Sequence, residues 1–208
     1  MARDVVSSGP TPSDGRLARG QRTRMKVAEA VISLVEGGDP QPTAKEIAEQ
    51  AHISVRLVFH HFEDMDALYR AVIELQAARH WSHLHEVPAD LPLAQRIERT
   101  VRQRSRLFDA IGPVRRAITP QALRSDELSR MLATSNVFLR ELLDRSFGPE
   151  LEGAGDGRRE LLDALDLAAS WEAWDRLRRA QHLSAAAARR TLIHVLGGLL
   201  DTPGPRRR

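Results

Sequence analysis

The spacing of apolar residues along the chain predicts helices throughout. Val27, Val31, Leu34 and Val35 recur at intervals of three and four residues, so they share one face of a helix over about residues 21–36. The sustained apolar–polar alternation of a half-buried strand does not occur. We therefore predict an all-α protein of about nine helices. The later helices are predicted at about residues 43–51, 55–62, 64–86, 93–111, 126–147, 158–181 and 184–200, with one or two short ones between 113 and 125.

Capping and turn residues mark where several of these helices begin and end. The glycine pair at 37–38 ends the first helix. Residues 43–46 form a Thr-x-x-Glu capping box that opens the second helix, and Ser54 is a suitable N-cap for the third. Glycine and prolines within residues 112–120 predict a break in the chain, and residues 148–157 predict a loop.

The second and third predicted helices are short and are joined by a turn of a few residues, which is the pattern of a helix-turn-helix. In such a motif one helix crosses the DNA backbone and the next presents its exposed face to the major groove. The residues able to pack the two helices together are Ala48, Ala51, Ile53, Val58 and Phe62. The residues left partly outside are Val55, Arg56, Leu57, Phe59, His60 and His61.

Charge is distributed unevenly along the chain, although its total is nearly balanced. The 31 basic and 28 acidic side chains give a net charge of +3, which excludes a histone-like polycation. Residues 15–26 nevertheless hold five cations and no acid, directly before the helix-turn-helix. We expect this segment to act as a flexible basic arm that supplies much of the attraction for DNA.

Several other classes of protein are disfavoured by features that the sequence lacks. Zero cysteines exclude a disulfide scaffold and a cysteine-ligated zinc finger. A Gly-x-Ser-x-Gly motif, a P-loop and a strand-borne Gly-x-Gly-x-x-Gly are absent, so we expect neither an enzyme nor a bound cofactor. The first 24 residues lack an apolar core segment, and no run of about 18 apolar residues occurs, so we expect a cytoplasmic protein without a membrane span.

Several stretches of the predicted helix-turn-helix match the pattern of a known family. They are Thr-Ala-Lys-Glu-Ile-Ala at 43–48, Ala-His-Ile-Ser at 51–54, Phe-His-His-Phe at 59–62 and Asp-Ala-Leu at 66–68. With these spacings, residues 21–70 resemble the DNA-binding domain of tetracycline-repressor-type (TetR-family) transcriptional regulators. The resemblance implies a homodimer that binds a double-stranded DNA operator, usually as a repressor. It also implies that binding of a small-molecule effector releases the protein from the operator.

Three departures from the family pattern leave an alternative open. His52 stands where the family has a turn glycine, which is expected at positive φ, a region that His tolerates better than most residues. Leu57 and Phe59 lack the hydroxyls of the family's threonine and tyrosine, and Met65 replaces a lysine. The alternative is therefore a dimeric ligand-binding or interaction module with weakened DNA reading.

The candidate DNA-binding residues combine the basic arm with the first turn of the second helix and the exposed part of the third. Arg56 is the only cation among residues 55–59 and is expected to reach a base edge or a phosphate. For His61, packing within the protein is an equal alternative, and for the arm the alternative is a solvated tail. The full set is Arg16, Arg19, Arg22, Arg24, Thr43, Lys45, Ser54, Val55, Arg56, Leu57, Phe59, His60 and His61.

A tentative ligand pocket is suggested by one cation in an apolar stripe. Arg104 occupies an apolar position of the fifth helix, so it needs a partner, which is either a carboxylate of this chain or an anionic ligand. His80 and His83 share a helix face, but a third metal ligand is not evident, which favours a surface cluster or a polar cavity lining and no metal. The tentative pocket residues are Arg104, Phe108, Met131, Phe138, Trp171 and Trp174.

The last two helices carry apolar stripes that suit either a dimer interface or an intramolecular core. In the resembling family these two helices pair with their symmetry mates, and symmetric dimers are the common oligomer. The tentative interface residues are Leu161, Leu165, Leu192, Val195, Leu196 and Leu199. The predicted organisation is a disordered tail (1–14), a helix-turn-helix domain (15–63), a regulatory and dimerisation domain (64–202) and a second tail (203–208).

Overall fold

The computed structural model describes residues 12–201, and the side chains of residues 17–201. The predicted tails at 1–14 and 203–208 therefore lie outside the described residues, except for positions 12–14. The side chain of Arg16 also lies outside them. Within residues 12–201 the chain forms ten α-helices and no strand, which confirms the predicted all-α fold.

The helices are named α1 to α10 in chain order. Two short 3₁₀ turns, Trp81–His83 and Gly155–Gly157, and one π-helical turn, Arg176–Ala180, supplement them. No helix in the described part of the chain is both long and apolar enough to cross a membrane. The helices are α1 Pro12–Glu36, α2 Ala44–Gln50, α3 Val55–His61, α4 Met65–His80, α5 Leu93–Ala122, α6 Asp126–Ser146, α7 Gly148–Gly153, α8 Arg158–Ala168, α9 Trp171–Asp175 and α10 Ala185–Asp201.

The chain divides into two compact units between Leu75 and Gln76, within α4. This division falls later than the predicted boundary between residues 63 and 64. In the first unit α1 packs on α2 and α3, and these helices form a small core together with the first part of α4. Its large buried side chains include Val27, Val31, Ile47, Val58, Phe62, Leu68 and Val72.

The second unit is built around α5, α6, α8 and α10, which pack against one another. Its largest fully buried side chains include Phe108, Phe147 and Trp174, and leucines from five helices fill the space between them. Removing this apolar surface from water is the main stabilising contribution, at about 25 cal/mol per Å².

The predicted break near residues 112–120 is wrong, because α5 runs without interruption through Pro113 and Pro120. Each proline removes one backbone hydrogen bond and costs about 3 kcal/mol in a helix interior. Val114, Ala117 and Ile118 of this stretch are buried, so the packing of the helix face offsets that cost. Proline is a reliable breaker only where tertiary contacts do not hold the helix together.

The predicted loop at residues 148–157 is also wrong. Gly148–Gly153 forms α7, with Pro149 in its first turn, where a missing amide proton costs nothing. Leu151 is completely buried and anchors the short helix. The single helix predicted over residues 158–181 is interrupted after α8, where the Ser170 hydroxyl accepts the Ala173 amide at 3.1 Å and begins α9.

The first helix begins earlier than predicted, and the fourth ends earlier. α1 starts at Pro12, so the segment up to residue 26 is a helical extension and not the flexible arm that we expected. Apolar periodicity could not reveal this start, because extending a formed helix needs only helix-forming residues such as Leu17 and Ala18. α4 ends at His80 and continues as the 3₁₀ turn.

Candidate nucleic-acid interface

The start of α2 is held by the predicted capping box. The Thr43 amide donates to Glu46 Oε2 at 2.7 Å, and the Glu46 amide donates to Thr43 Oγ1 at 3.3 Å. The hydrogen bond from the Thr43 hydroxyl to the Glu46 carboxylate, followed by the one from the Thr43 amide, lowers the pKa of Glu46 below its ordinary value. The Thr43 hydroxyl also donates to the Glu46 carboxylate at 2.6 Å. The side chain that we predicted to contact DNA is therefore engaged in the cap.

The turn between α2 and α3 has the backbone that the family pattern requires. His52 has a φ of 51°, so the predicted positive φ at this position is confirmed for a residue with a Cβ. The His52 amide donates to Glu49 O at 3.0 Å, and the Ile53 amide donates to Ala48 O at 3.0 Å. A non-glycine residue in this left-handed region stores about 1–2 kcal/mol of strain.

α3 begins at the predicted N-cap, where Ser54 Oγ accepts the Leu57 amide at 3.2 Å. Val58 and Phe62 are buried, and with Ala48 and Ala51 they form the predicted packing between the two helices. This packing leaves the opposite face of α3 in solvent, because adjacent helical residues project about 100° apart.

The solvent face of α3 carries one cation and two apolar side chains. Val55 is 38% exposed and Phe59 is 50% exposed, and Arg56 and His60 are exposed beside them. Leu57 is half-buried. The Arg56 side chain makes no hydrogen bond or ion pair with any described residue. The predicted recognition face is thus present, and its groups are available to an external partner.

The remaining cations fall into different positions on the first unit. Arg19 and Arg22 project from α1 into solvent. Lys45 is exposed on α2 and lies 3.9 Å from Glu49. Arg24, in contrast, donates from Nη1 to the backbone carbonyl of His61, and its guanidinium lies 4.4 Å from the centre of the Phe62 ring. Arg24 is therefore bound within the protein.

His61 is packed and not freely exposed. A Cβ placed on Gly20 of α1 would lie 4.0 Å from His61 Cε1, so the imidazole rests beside that helix. Partial burial lowers the pKa of His61, and the nearby His60 and Arg24 lower it further. Of the two alternatives for His61, contact with DNA or packing within the protein, this position agrees with packing.

In the second unit, Arg104 is buried, as its place in an apolar stripe predicted, but neither expected partner is its hydrogen-bond acceptor. Nη1 donates to Ala169 O at 2.7 Å, and Nη2 donates to the carbonyl of Leu139. Burial lowers the pKa of Arg104 to about 10, and Asp166 partly opposes this effect. Backbone carbonyls satisfy this cation without adding a second buried charge, and the one of Ala169, at the end of α8, has no partner within its own helix.

The tentative pocket residues are not brought together in one site. Arg104 and Trp171 line a cavity of about 380 Å³ between α5, α6, α8 and α9. Phe108 and Trp174 are instead core residues, since both are at least 98% buried. Phe138 packs on Trp81, with ring centres 4.9 Å apart. Met131 is half-buried and lines no cavity described here.

A second cavity, of about 520 Å³, lies at the histidine cluster for which the sequence left a polar cavity lining open. It is lined by His80, Ser82, His83, Leu84, His85, Gln103, Arg106 and Leu107. The predicted histidine cluster therefore lines a cavity, and within the described residues no group of three or more ligands is arranged to hold a metal ion.

The tentative dimer-interface residues divide between core and surface. Leu165, Leu192 and Leu196 are buried within the protomer, so they cannot form an interaction surface, and that part of the prediction is wrong. They share a helix face with the surface residues, which is why periodicity alone could not separate the two sets. Leu161 and Leu199 are half-buried against the core. Val195 is 39% exposed, and Leu167, which we did not predict, is 74% exposed.

Comparison with known proteins agrees with this geometry. The family described as bacterial regulatory proteins, tetR family, matches residues 27–72, which include the helix-turn-helix. No curated protein matches the chain. The crystal structure of a tetR-family transcriptional regulator from Streptomyces coelicolor has a similar fold, with a TM-score of 0.61 and 20% sequence identity over 85% of this chain and 81% of that chain.

The sequence match covers the segment in which the capping box, the turn at positive φ and the exposed face of α3 occur together. The structural likeness extends the shared fold into the second unit. Residues 27–72 therefore match the DNA-binding domain of the tetR family of bacterial regulatory proteins, and the chain has the fold of such a regulator.

Proposed function

We propose that the protein is a homodimeric repressor that binds two operator half-sites and is released from the DNA when a small-molecule effector binds. The observation that carries the DNA-binding part is the solvent face of α3. Val55, Arg56 and Phe59 lie on a short helix whose other face is anchored in the core. A rigid helix with an unpaired cation between apolar side chains suits the major groove, where arginine reads guanine and apolar groups contact thymine methyls.

Affinity would come mainly from phosphate contacts around this helix. Arg19 and Arg22 are exposed on the helical extension of α1, and the Ser54 hydroxyl retains its proton for donation. Such contacts are independent of sequence and strongly salt-dependent. They position α3, whereas the groups on its solvent face select the base pairs.

Dimerisation would place two copies of α3 on successive half-sites. The support in the second unit is the exposed apolar pair Leu167 on α8 and Val195 on α10, with Gly198 following on the same helix. Burial of such groups against a symmetry mate is favourable, and a symmetric dimer matches a palindromic operator.

The 520 Å³ cavity is the better of the two candidate effector sites, since both volumes suit small molecules but their charges differ. In the 380 Å³ cavity the charges are matched internally: Arg140 pairs with Asp163 and Asp166, and Arg104 is bound to carbonyls. The lining of the larger cavity contains Arg106 and three histidines and no carboxylate. An organic anion is therefore the effector class that fits it.

Release follows if the effector prefers a conformation with the wrong half-site spacing. The operator and the effector then compete through the conformational equilibrium, and each lowers the affinity for the other by the same factor. The cellular site of such a protein is the cytoplasm, where the chromosome is.

The test is a binding titration at several salt concentrations. The purified full chain first selects duplexes from a randomised library, and the selected duplex is then compared with a scrambled one of equal length. We expect tighter binding to the selected duplex and a steep loss of affinity with salt. Absence of any salt-dependent, sequence-preferring binding would contradict the regulator and favour the interaction module with weakened DNA reading.

A further inference from the structure

Arg24 connects the first helix to the end of the third. Its Nη1 donates to the carbonyl of His61, the last residue of α3, and its guanidinium stacks 4.4 Å from the centre of the Phe62 ring. The bond spans 37 positions of sequence. It therefore joins α1, which forms much of the core of the first unit, to the helix that carries the solvent face described above.

The position of Arg24 on α1 explains why it reaches the end of α3 while Arg22 does not. Residues 24, 27, 28 and 31 recur at helical spacing, and Val27, Ala28 and Val31 are almost completely buried. Arg24 thus lies one turn before the buried stripe of α1, on the same helix face, and is itself exposed. Arg22 lies off this stripe, is exposed and makes no hydrogen bond or ion pair with the described residues.

Both ends of α3 are held by contacts that match the polarity of the helix. The last carbonyls of any helix lack partners within the helix, and a cation there interacts favourably with the helix dipole. Ser54 satisfies an amide at the N-terminal end, and Arg24 satisfies a carbonyl at the C-terminal end. A helix of seven residues cannot maintain its own geometry in water, so these two contacts and the buried Val58 define its orientation.

We propose that Arg24 is a positioning residue for the recognition helix and not a phosphate ligand. This inference rests on the proposed binding of DNA through α3. In this role the guanidinium sets the angle and the end of α3, so that Arg56 and Phe59 meet the base edges. Its loss would weaken specific binding without removing a protein–phosphate contact.

Three full-length variants separate the two roles. Arg24→Met removes the donor and the charge but keeps an unbranched side chain, Arg24→Lys keeps the charge but not the planar stack, and Arg22→Met is the matched control on the same helix. Affinity is measured for the selected and the scrambled duplex between low and moderate salt. Circular dichroism melting shows whether each variant is folded.

We expect Arg24→Met to weaken binding to the selected duplex by about tenfold, as judged from one hydrogen bond and one exposed cation–π contact. The loss on the scrambled duplex should be smaller, and the salt slope should not change. Arg22→Met should instead reduce the slope by roughly 0.9 on both duplexes. Arg24→Lys should resemble Arg24→Met. An Arg24→Met variant with a reduced slope and equal loss on both duplexes, or with no loss, would overturn the proposal.

A second measurement needs no DNA. Arg24 is one of the groups that lower the pKa of His61, after the burial of that ring and the charge of His60. Removing the Arg24 charge should therefore raise the pKa of His61 in an NMR titration and speed hydrogen exchange at the last amides of α3. Arg22→Met should change neither. If the wild-type protein selects no duplex, the proposed function fails. Unchanged hydrogen exchange and an unchanged His61 titration in Arg24→Met would instead refute the positioning role of Arg24.

Discussion

Arg104 on α5 donates from Nη1 to the carbonyl of Ala169 at 2.7 Å, at the point where α8 ends. The same relationship occurs twice more among the described residues. Arg96 donates to the carbonyl of Ser146, the last residue of α6, at 3.0 Å, and Arg24 donates to that of His61. Each of these three arginines begins on one helix and satisfies the carbonyl end of another, and two of them, Arg96 and Arg104, are buried.

Substitution of Arg104 tests how much such a cap contributes. Arg104→Met keeps apolar volume but leaves the Ala169 carbonyl buried without its donor. We expect the free energy of unfolding to fall by about 1–3 kcal/mol, the cost of an unsatisfied buried acceptor. Urea denaturation measures this change, with Arg102→Met, at an exposed position on the same helix, as the control. An equally stable Arg104→Met variant would mean that the cost of burying the charge cancels the value of its hydrogen bonds.

The ion pair between Arg96 and Glu150 predicts a specific acid sensitivity. Arg96 Nη1 donates to Glu150 Oε2 at 2.7 Å, and this bonding lowers the pKa of Glu150 despite its partial burial. Because the folded-state pKa is lowered, the pair stabilises the protein above the unfolded-state pKa of about 4.3, and this contribution is lost as the pH falls through the folded-state value. Glu150→Gln should therefore be less stable at neutral pH and lose less stability on acidification. Chemical denaturation between pH 7 and pH 3 measures this, and Glu152→Gln, at an exposed site on α7, should behave like wild type.

The strained turn predicts a stabilising substitution. His52 has a φ of 51°, where glycine has no Cβ penalty. We expect His52→Gly to raise the free energy of unfolding by about 0.5–1 kcal/mol, since relief of strain exceeds the added entropy of the unfolded chain. Thermal unfolding of the full chain measures the change. A less stable variant would show that the His52 side chain makes a contribution larger than the strain it imposes.

The solvent face of α3 predicts a change in specificity. Arg56→Ala should reduce the ratio of affinities for the selected and the scrambled duplex, by about 1–3 kcal/mol if Arg56 pairs with a guanine. Competition binding at one salt concentration measures this ratio. Equal losses on both duplexes would show that Arg56 contacts only phosphate. His60→Ala, at an exposed neighbouring position, provides the comparison within the same helix.

The basic cavity predicts selective binding of anions. 1-Naphthoate should raise the unfolding temperature of the protein, and the cationic 1-naphthylmethylamine of similar size should not, because the cavity lining holds Arg106 and no carboxylate. Arg106→Gln should abolish the effect, and Arg99→Gln, which lies on α5 outside the cavity lining, should retain it. Equal stabilisation by both compounds, or stabilisation that survives in Arg106→Gln, would contradict an anionic effector in this cavity.

Features that depend on neighbouring residues were predictable from the sequence. The capping box at residues 43–46, the Ser54 N-cap, the positive φ of His52 and the two faces of α3 all follow from local hydrogen bonding and helical periodicity. The contact of Arg24 with α3 also had a local signal, since Arg24 shares a helix face with the buried Val27 and Val31. This spacing was overlooked because Arg24 also belongs to the basic segment at residues 15–26.

The all-α class, the helix-turn-helix and its exposed face could be predicted from the amino-acid sequence, because short-range periodicity and capping chemistry decide these features. Three other features became evident from the packed fold: α5 continues through two prolines, Arg104 binds carbonyls, and Leu165, Leu192 and Leu196 are core residues. Each of these outcomes depends on contacts between residues far apart in the chain. Such contacts outweigh a local cost of a few kcal/mol, and they cannot be predicted from the pattern of neighbouring residues.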